Sequence, residues 1–311
     1  MSKETTADGQ LQSLLGESEF VMTAEITPTL SASPEDILKQ AQPLKGRADA
    51  VNVTDGAGAR VSMSSVAASA LLVHEGIEPV MQMTCRDRNR IAIAADLIGA
   101  AALGIRNLLA LTGDDPKSGD EPDAKPVFDL ASRDIIELAR CMSEEGRVAS
   151  GRELSGRPNL FVGAADAPFD PPPKWRPDGL LDKIAAGAKF VQTQFCFEPA
   201  IVERYLGVLE DFGILEKASF IIGVGPIASV RSARWMNENL RGVSIPDKTV
   251  NRLDGAKDQS AEGLKICVEL IQAYQQLRGV SGVHVMAPAQ STERAAEAIE
   301  ASAVLASRRH G

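Results

Sequence analysis

Short apolar runs punctuate this chain, each cut off by turn-forming residues, and the stretches between them carry apolar positions at helical spacing. Leu108-Leu109-Ala110-Leu111 shows the unit most clearly, stopping at Thr112-Gly113-Asp114-Asp115-Pro116. The same pattern predicts strands over 20–27, 48–53, 78–83, 160–163, 190–195, 219–224 and 282–286. Helices are predicted over 33–44, 62–74, 132–144, 179–186 and 260–278, and from Thr292 onward. Three more follow from apolar stripes: one at Ile91, Ala94, Ala95 and Ile98, one at Ile201, Tyr205, Val208 and Phe212, and one at Val230, Ala233, Asn237 and Leu240. Residues 1–8 read as loose and polar, and 10–16 as a short leading helix. Long irregular connections fall at 112–129 and 164–173, with an inserted segment at 245–254.

Strand and helix thus alternate eight times without a break in composition. This predicts an α/β protein of the closed (β/α)8 TIM barrel class, one domain over 1–311 with residues 1–18 as a leading polar segment and short helix. The alternative is an open doubly wound sheet. Its G-x-G-x-x-G fingerprint is absent, because Gly56 and Gly58 are followed by Val61 where the third glycine belongs. In a barrel, the polar residues at the carboxyl ends of the strands converge on one mouth. Here these are Glu25, Thr54 with Asp55, Gln82 with Thr84, Thr112 with Asp114, Asp166, Thr193 with Gln194, and His284. Glu25 has two readings, a carboxylate paired with a cation or a general acid. Asp114 and Asp115 either cap their turn or face a ligand that Gly113 lets approach. Gln194, flanked by Phe195 and Phe197, either reads a flat heterocycle between aromatic walls or is a satisfied inward-facing amide.

Composition narrows the field. The chain is 44% hydrophobic and 24% charged, ordinary for a soluble globular protein. Its 33 Lys and Arg against 42 Asp and Glu give a net charge of -9, which argues against a nucleic-acid partner. Cys85, Cys141, Cys196 and Cys267 form no C-x-x-C pair and read as reduced cysteines. His74, His284 and His310 lack metal-ligand spacing, so no metal is expected. The first residues lack an apolar leader core and no stretch approaches a membrane span. A cytoplasmic protein without a membrane partner is the expectation.

Six segments carry a family likeness. Thr23-Ala24-Glu25-Ile26-Thr27-Pro28, Asn52-Val53-Thr54-Asp55-Gly56-Ala57, Met83-Thr84-Cys85, Leu111-Thr112-Gly113-Asp114, Ala186-Gly187-Ala188 and Thr193-Gln194-Phe195 occur in the order seen in methylenetetrahydrofolate reductases. The chain resembles that family from about residue 20 to 300, and looks most like its short bacterial form without a regulatory domain. The resemblance implies a flavin-binding barrel that reduces 5,10-methylenetetrahydrofolate to 5-methyltetrahydrofolate, a step that feeds methionine biosynthesis. It implies FAD, with FMN as the alternative, and NADH or NADPH as the co-substrate. By the same likeness Glu25 is the general acid, and Asp114 lies near both flavin and pterin. Gln194 contacts the pterin, with Phe195 and His284 completing the substrate set. Thr54, Gln82, Thr112, Gly113, Asp114, Ala164 and Lys183 fall at flavin positions. A homo-oligomer is also implied.

The chain departs from the better-known members at several of these places. Thr112 replaces an arginine, Gln82 a histidine, and Gly179 and Asp182 an asparagine and an arginine; an aromatic near Ala164 and Ala165 is missing. Lys183 is left as the main cation for a flavin phosphate, a single point charge, so weaker flavin binding is expected. Two other functions stay open. One is a tetrahydrofolate-dependent methyltransferase barrel, which needs no flavin. The other is a reductase subunit that relies on a partner subunit for NAD(P)H oxidation. Oxidative use of the same chemistry is a further option.

Overall fold

The computed structural model describes residues 8–287 and 291–305, so the polar segment expected at 1–8 falls almost wholly outside them, as does His310. Eight parallel strands close into a barrel in the order of the sequence. The chain opens with α1 (Gln10–Gly16), β1 (Val21–Ile26), α2 (Pro34–Ala41), β2 (Ala50–Val53), α3 (Ser65–His74) and β3 (Pro79–Thr84). It continues through α4 (Arg90–Ala102), β4 (Asn107–Leu111), α5 (Ser132–Arg140), β5 (Phe161–Asp166), α6 (Asp178–Ala186) and β6 (Phe190–Phe195). The last part comprises α7 (Pro199–Asp211), β7 (Ser219–Val224), α8 (Val230–Asn239), α9 (Asp247–Asp254), α10 (Gln259–Gln275), β8 (Val280–Val285) and α11 (Thr292–Ala301). Closure comes from β1 against β8, with Thr23 opposite His284.

The barrel predicted from alternation is therefore the one observed, with three local differences. The segment read as an insertion at 245–254 contains α9, a short helix with only Thr249 and Leu253 buried, too polar to announce itself as an amphipathic stripe. Strand β5 runs on to Asp166, into the stretch read as irregular, because Ala164, Ala165 and Asp166 pair with Val191, Gln192 and Thr193. The helix after β4 ends in a π turn over Cys141–Glu145.

Caps start several helices where the sequence supplies them. The Asn89 side chain accepts from the N–H groups of Ile91 and Ala92, each at 3.1 Å, and Asp258 accepts from Ala261 at 2.9 Å. Between strands and helices lies an extensive apolar layer that includes Ile26, Val53, Val191, Ile222 and Val285. No helix among the described residues is long and apolar enough to cross a membrane.

The lumen has its own packing. At its amino-terminal end Val21, Ala50, Val80, Leu109, Phe190 and Ile221 form an apolar plug, sealed by Leu11 and Leu15 of α1. Helix α1 is held there by Glu78, whose carboxylate accepts from the backbone N–H of Gln10 at 2.6 Å and of Leu11 at 2.8 Å, and from Asn107 Nδ2 at 2.9 Å. The Phe190 ring fills space that Gly163 leaves empty, since a Cβ on Gly163 would lie 2.2 Å from the ring. Gly163→Ala should accordingly destabilise the barrel by about 1–3 kcal/mol through overpacking. Urea unfolding checks this, and adding Phe190→Leu should recover part of the loss.

Candidate active site

Above the apolar plug the lumen turns polar. The inward residues Thr23, Asn52, Gln82, Gln192 and His284 are all buried. Buried polar groups need partners, and the strands supply most of them across the barrel. Asn52 Nδ2 donates to Gln192 Oε1 at 3.0 Å, and Thr23 Oγ1 lies 2.9 Å from His284 Nδ1. Gln82 Nε2 donates to Glu25 Oε2 at 3.0 Å. The other ring nitrogen of His284, Nε2, stands 3.6 Å from the same carboxylate oxygen. Glu25 is the group of this network nearest to solvent, with its side chain 25% exposed. Three buried atoms here lack any hydrogen-bond partner: Asn52 Oδ1, Thr54 Oγ1 and His284 Nε2. His284 Nε2 neighbours Glu25, and Asn52 lies opposite Glu25 in the β1–β2 register, so buried polar atoms left unpaired here mark the mouth as a candidate ligand site.

The other residues singled out from the sequence divide by side of the sheet. Lys183 extends from α6 to donate to the Ala165 carbonyl at 2.8 Å, at the carboxyl end of β5. Asp114 is exposed in the loop after β4, and its Oδ2 accepts from the Gly58 N–H at 2.9 Å. Thr112 is likewise exposed. Gly113 has φ +93°, and a Cβ there would lie 2.9 Å from Arg86 Cβ, so its glycine identity is set by the turn itself. Gln194 is half-buried and its Oε1 accepts from the Phe195 N–H at 2.9 Å.

Phe195 and Ala164 point the other way. Both are buried in the layer between strands and helices. Phe195 stacks on Phe197 with centroids 5.8 Å apart. The aromatic walls imagined around Gln194 therefore do not form, because successive strand residues face opposite sides. Ala164 can offer the mouth only its backbone. Asp55 is also committed: it pairs with Arg88 at 2.7 Å and accepts from the Thr84 N–H at 2.8 Å and the Ser65 hydroxyl at 3.2 Å. It fixes the β2 and β3 ends rather than offering a free carboxylate.

Sequence reading missed two features. The Asn52–Gln192 pair joins strands 140 residues apart, and neither residue ends its strand. The second is an aromatic cluster at the carboxyl end of β5. Phe169 meets Trp175 edge-on with centroids 4.9 Å apart, and both approach Tyr205. Tyr205 in turn donates its hydroxyl to Asp166. Aromatic residues make up only 4% of the chain, so two of them bracketing the prolines at 171–173 were the available signal.

The cysteines offer no nucleophile: burial pushes the Cys85 thiol up to about 11 and raises Cys196 and Cys267 as well. Among the described residues no cluster of His, Cys, Asp or Glu could hold a metal ion.

Comparison with known proteins gives a consistent result. A family model described as methylenetetrahydrofolate reductase matches residues 10–302. Methylenetetrahydrofolate reductase 2 of Schizosaccharomyces pombe is 29% identical over 229 residues, covering 69% of this chain and 33% of the relative. The probable methylenetetrahydrofolate reductase (NADPH) of Caenorhabditis elegans is 28% identical over 219 residues, covering 68% of this chain and 30% of its own. The chain thus spans about a third of the length of the curated relatives it matches. Among solved structures, an uncharacterized protein from Clostridium thermocellum, described as binding two copies of 5-methyl-5,6,7,8-tetrahydrofolic acid, superposes with a TM-score of 0.63 at 14% identity, over 95% of this chain and 99% of that one. The EDTA monooxygenase of Chelativorans sp. superposes at 0.58 with 11% identity, over 94% of each chain. At such identities the two structures share the fold.

The two phenols of the layer between strands and helices give a clean test of its burial. The chain has 2 tyrosines, Tyr205 and Tyr274, and both are pushed well above the usual phenol range, first of all by burial, with the Asp166 carboxylate adding to the rise at Tyr205. Because the folded-state values are raised, each phenol stabilises the fold below the ordinary phenol pKa of about 10, and that contribution is lost as pH rises further. Ultraviolet titration should show no tyrosinate until the protein unfolds, and then both phenols together. A tyrosine ionising near pH ~10 in the folded state would show that this layer is more open than described.

Proposed function

The chain belongs to the methylenetetrahydrofolate reductase family, and on that premise we propose that its barrel mouth reduces 5,10-methylenetetrahydrofolate to 5-methyltetrahydrofolate, with NAD(P)H as electron donor and FAD as the bound carrier. One observation carries the reading. The Glu25 carboxyl group stands at the solvent edge of a buried polar network, steadied by Gln82 and beside the unpaired Nε2 of His284. Reductive opening of the folate's five-membered ring needs such an acid.

The residues fit a flavin at the ring end better than at the phosphate end. Thr54 has a free hydroxyl, the Gln82 amide lies close by, and the turn at Thr112 and Gly113 brings backbone to the same rim. These groups suit the polar edge of a planar heterocycle. For phosphate, Lys183 uses one of its three N–H donors on Ala165 and keeps two. When bound, the flavin supplies two-electron hydride chemistry.

The protein's own part is proton delivery, orientation and charge. Glu25 gives its proton to the folate nitrogen that leaves the one-carbon bridge, which opens the ring to a cationic iminium. Gln82 holds the carboxyl group in place by donating to Oε2. Asp114 contributes negative charge to the rim, with Oδ2 held by the Gly58 N–H. Gln194 supplies an amide for the paired hydrogen-bonding groups of the pterin, and His284 lies behind Glu25 in the same pocket. The product is a methyl donor of the kind methionine synthesis consumes.

Lys183→Ala should weaken flavin binding and make the remaining affinity less dependent on salt, since it removes the charge facing phosphate. Titration of the protein with FAD at two ionic strengths measures both effects, and an unchanged affinity would place Lys183 outside the site.

Glu25→Gln tests the reaction itself. The amide keeps shape and a hydrogen bond but has no proton to give. Flavin reduction by NAD(P)H should survive nearly intact, whereas folate reduction should fall by at least ~100-fold. Stopped-flow measurement of the two half-reactions decides it. Folate reduction at close to the wild-type rate would remove Glu25 from the mechanism.

A further inference from the structure

Strand β6 carries one residue more than β7 can match. Val191 and Gln192 pair with Phe220 and Ile221, but the next paired residue of β6, Phe195, meets Gly223. The extra residue falls within Thr193 and Gln194 and makes a β-bulge, the device by which a strand re-aims a side chain beside a site. The bulge therefore sets where Gln194 points.

A bulge takes backbone groups out of the ladder, and a buried N–H still needs an acceptor. The Gly223 N–H finds one in a side chain, donating to the Thr193 hydroxyl at 2.9 Å. The same hydroxyl donates to the Gln194 carbonyl, also at 2.9 Å, and Thr193 is buried. One oxygen thus ties both sides of the irregularity, as acceptor to β7 and as donor within the bulge. Gly223 lets the two backbones come this close, since a Cβ there would lie 2.5 Å from the Thr193 carbonyl oxygen and 2.7 Å from that of Gln194. The Gln194 side chain is held in turn. Its Oε1 accepts from the Phe195 N–H at 2.9 Å, and its stem faces the turn after α8, where a Cβ on Gly242 would lie 3.9 Å from Gln194 Cγ.

We propose that Thr193 is a positioning residue for the pterin: its hydroxyl holds the bulge that aims the Gln194 amide into the mouth. The inference rests on the folate reading and adds to it a residue that itself touches no substrate. Valine has the outline of threonine without a donor or an acceptor. With valine at 193 the Gly223 N–H draws a β6 carbonyl in place of the hydroxyl, which pulls the extra residue into register and turns Gln194 from the mouth.

Calorimetric titration of the full chain with 5-methyltetrahydrofolate tests this, together with hydrogen exchange at the Gly223 amide. Thr193→Val should weaken binding by at least about tenfold and speed Gly223 exchange by a similar factor. Thr193→Ser, which keeps the hydroxyl, should stay within about threefold of the wild type in both. In a Gln194→Ala background Thr193→Val should cost no further affinity, because a residue that acts through that amide has no effect once it is gone. Thr193→Cys, a weaker donor and acceptor, should fall between threonine and valine; it carries the test, alone and with Gln194→Ala, if the valine variant does not fold. Wild-type affinity in Thr193→Val, a serine variant no better than valine, or a full further loss in the double variant would overturn the proposal. A wild-type chain that binds no 5-methyltetrahydrofolate would overturn the folate reading instead. Gly223 exchange then still reads the hydroxyl's hold on the bulge: fast with valine and slow with serine supports it, and no difference overturns it.

Discussion

A strand closed into a parallel barrel gives each side chain one of two destinations, lumen or helix layer, and a step of one residue exchanges them. The reading of the barrel mouth depends on that constraint. It sends Glu25 inward while its neighbours Ala24 and Ile26 pack outward. It also sends Phe195 into the outer layer directly after Gln194. The lumen is narrow, so each inward residue is matched to those across from it. Gly163 makes room for Phe190, and Asn52 reaches Gln192.

The two halves of the lumen solve the burial problem differently. The lower half excludes water with apolar side chains and is closed by α1. The upper half buries amides, a hydroxyl and an imidazole, which would be costly without partners. Cross-barrel hydrogen bonds satisfy most of them, and one atom left over, His284 Nε2, faces Glu25. Fixed groups of this kind need no rearrangement when charge develops in a substrate, which is where preorganised polar sites gain their catalytic effect. The surrounding loops are tied down as well: Asp114 holds Gly58, and Asp120 accepts from the Val61 N–H at 3.0 Å. The loops after β2 and β4 are therefore tied to one another at the rim.

Much of this was legible in the chain. The eight strands follow from short apolar runs ending in turn chemistry, which are local signals, and alternation with helices leads to the barrel. Polar residues at strand ends also marked Glu25, Thr54, Gln82 and His284, which the fold brings together. What was not legible is longer in range. Adjacent polar candidates such as Thr54 and Asp55 look alike in sequence, yet Arg88 draws Asp55 into a structural ion pair while the hydroxyl of Thr54 stays unpaired. The mid-strand pair of Asn52 and Gln192 depends on barrel closure, which no local window contains. Helix α9 escaped because it is short and mostly polar.

The central claim is that this barrel mouth carries out a folate reduction. It is tested most directly by incubating the purified chain, with FAD supplied, with 5,10-methylenetetrahydrofolate and either NADH or NADPH. Nicotinamide oxidation and 5-methyltetrahydrofolate are then measured in the same sample. The account predicts folate-dependent oxidation of one of the nucleotides, with one 5-methyltetrahydrofolate formed for each nicotinamide oxidised. No 5-methyltetrahydrofolate from either nucleotide, with an artificial electron donor equally ineffective, would contradict it.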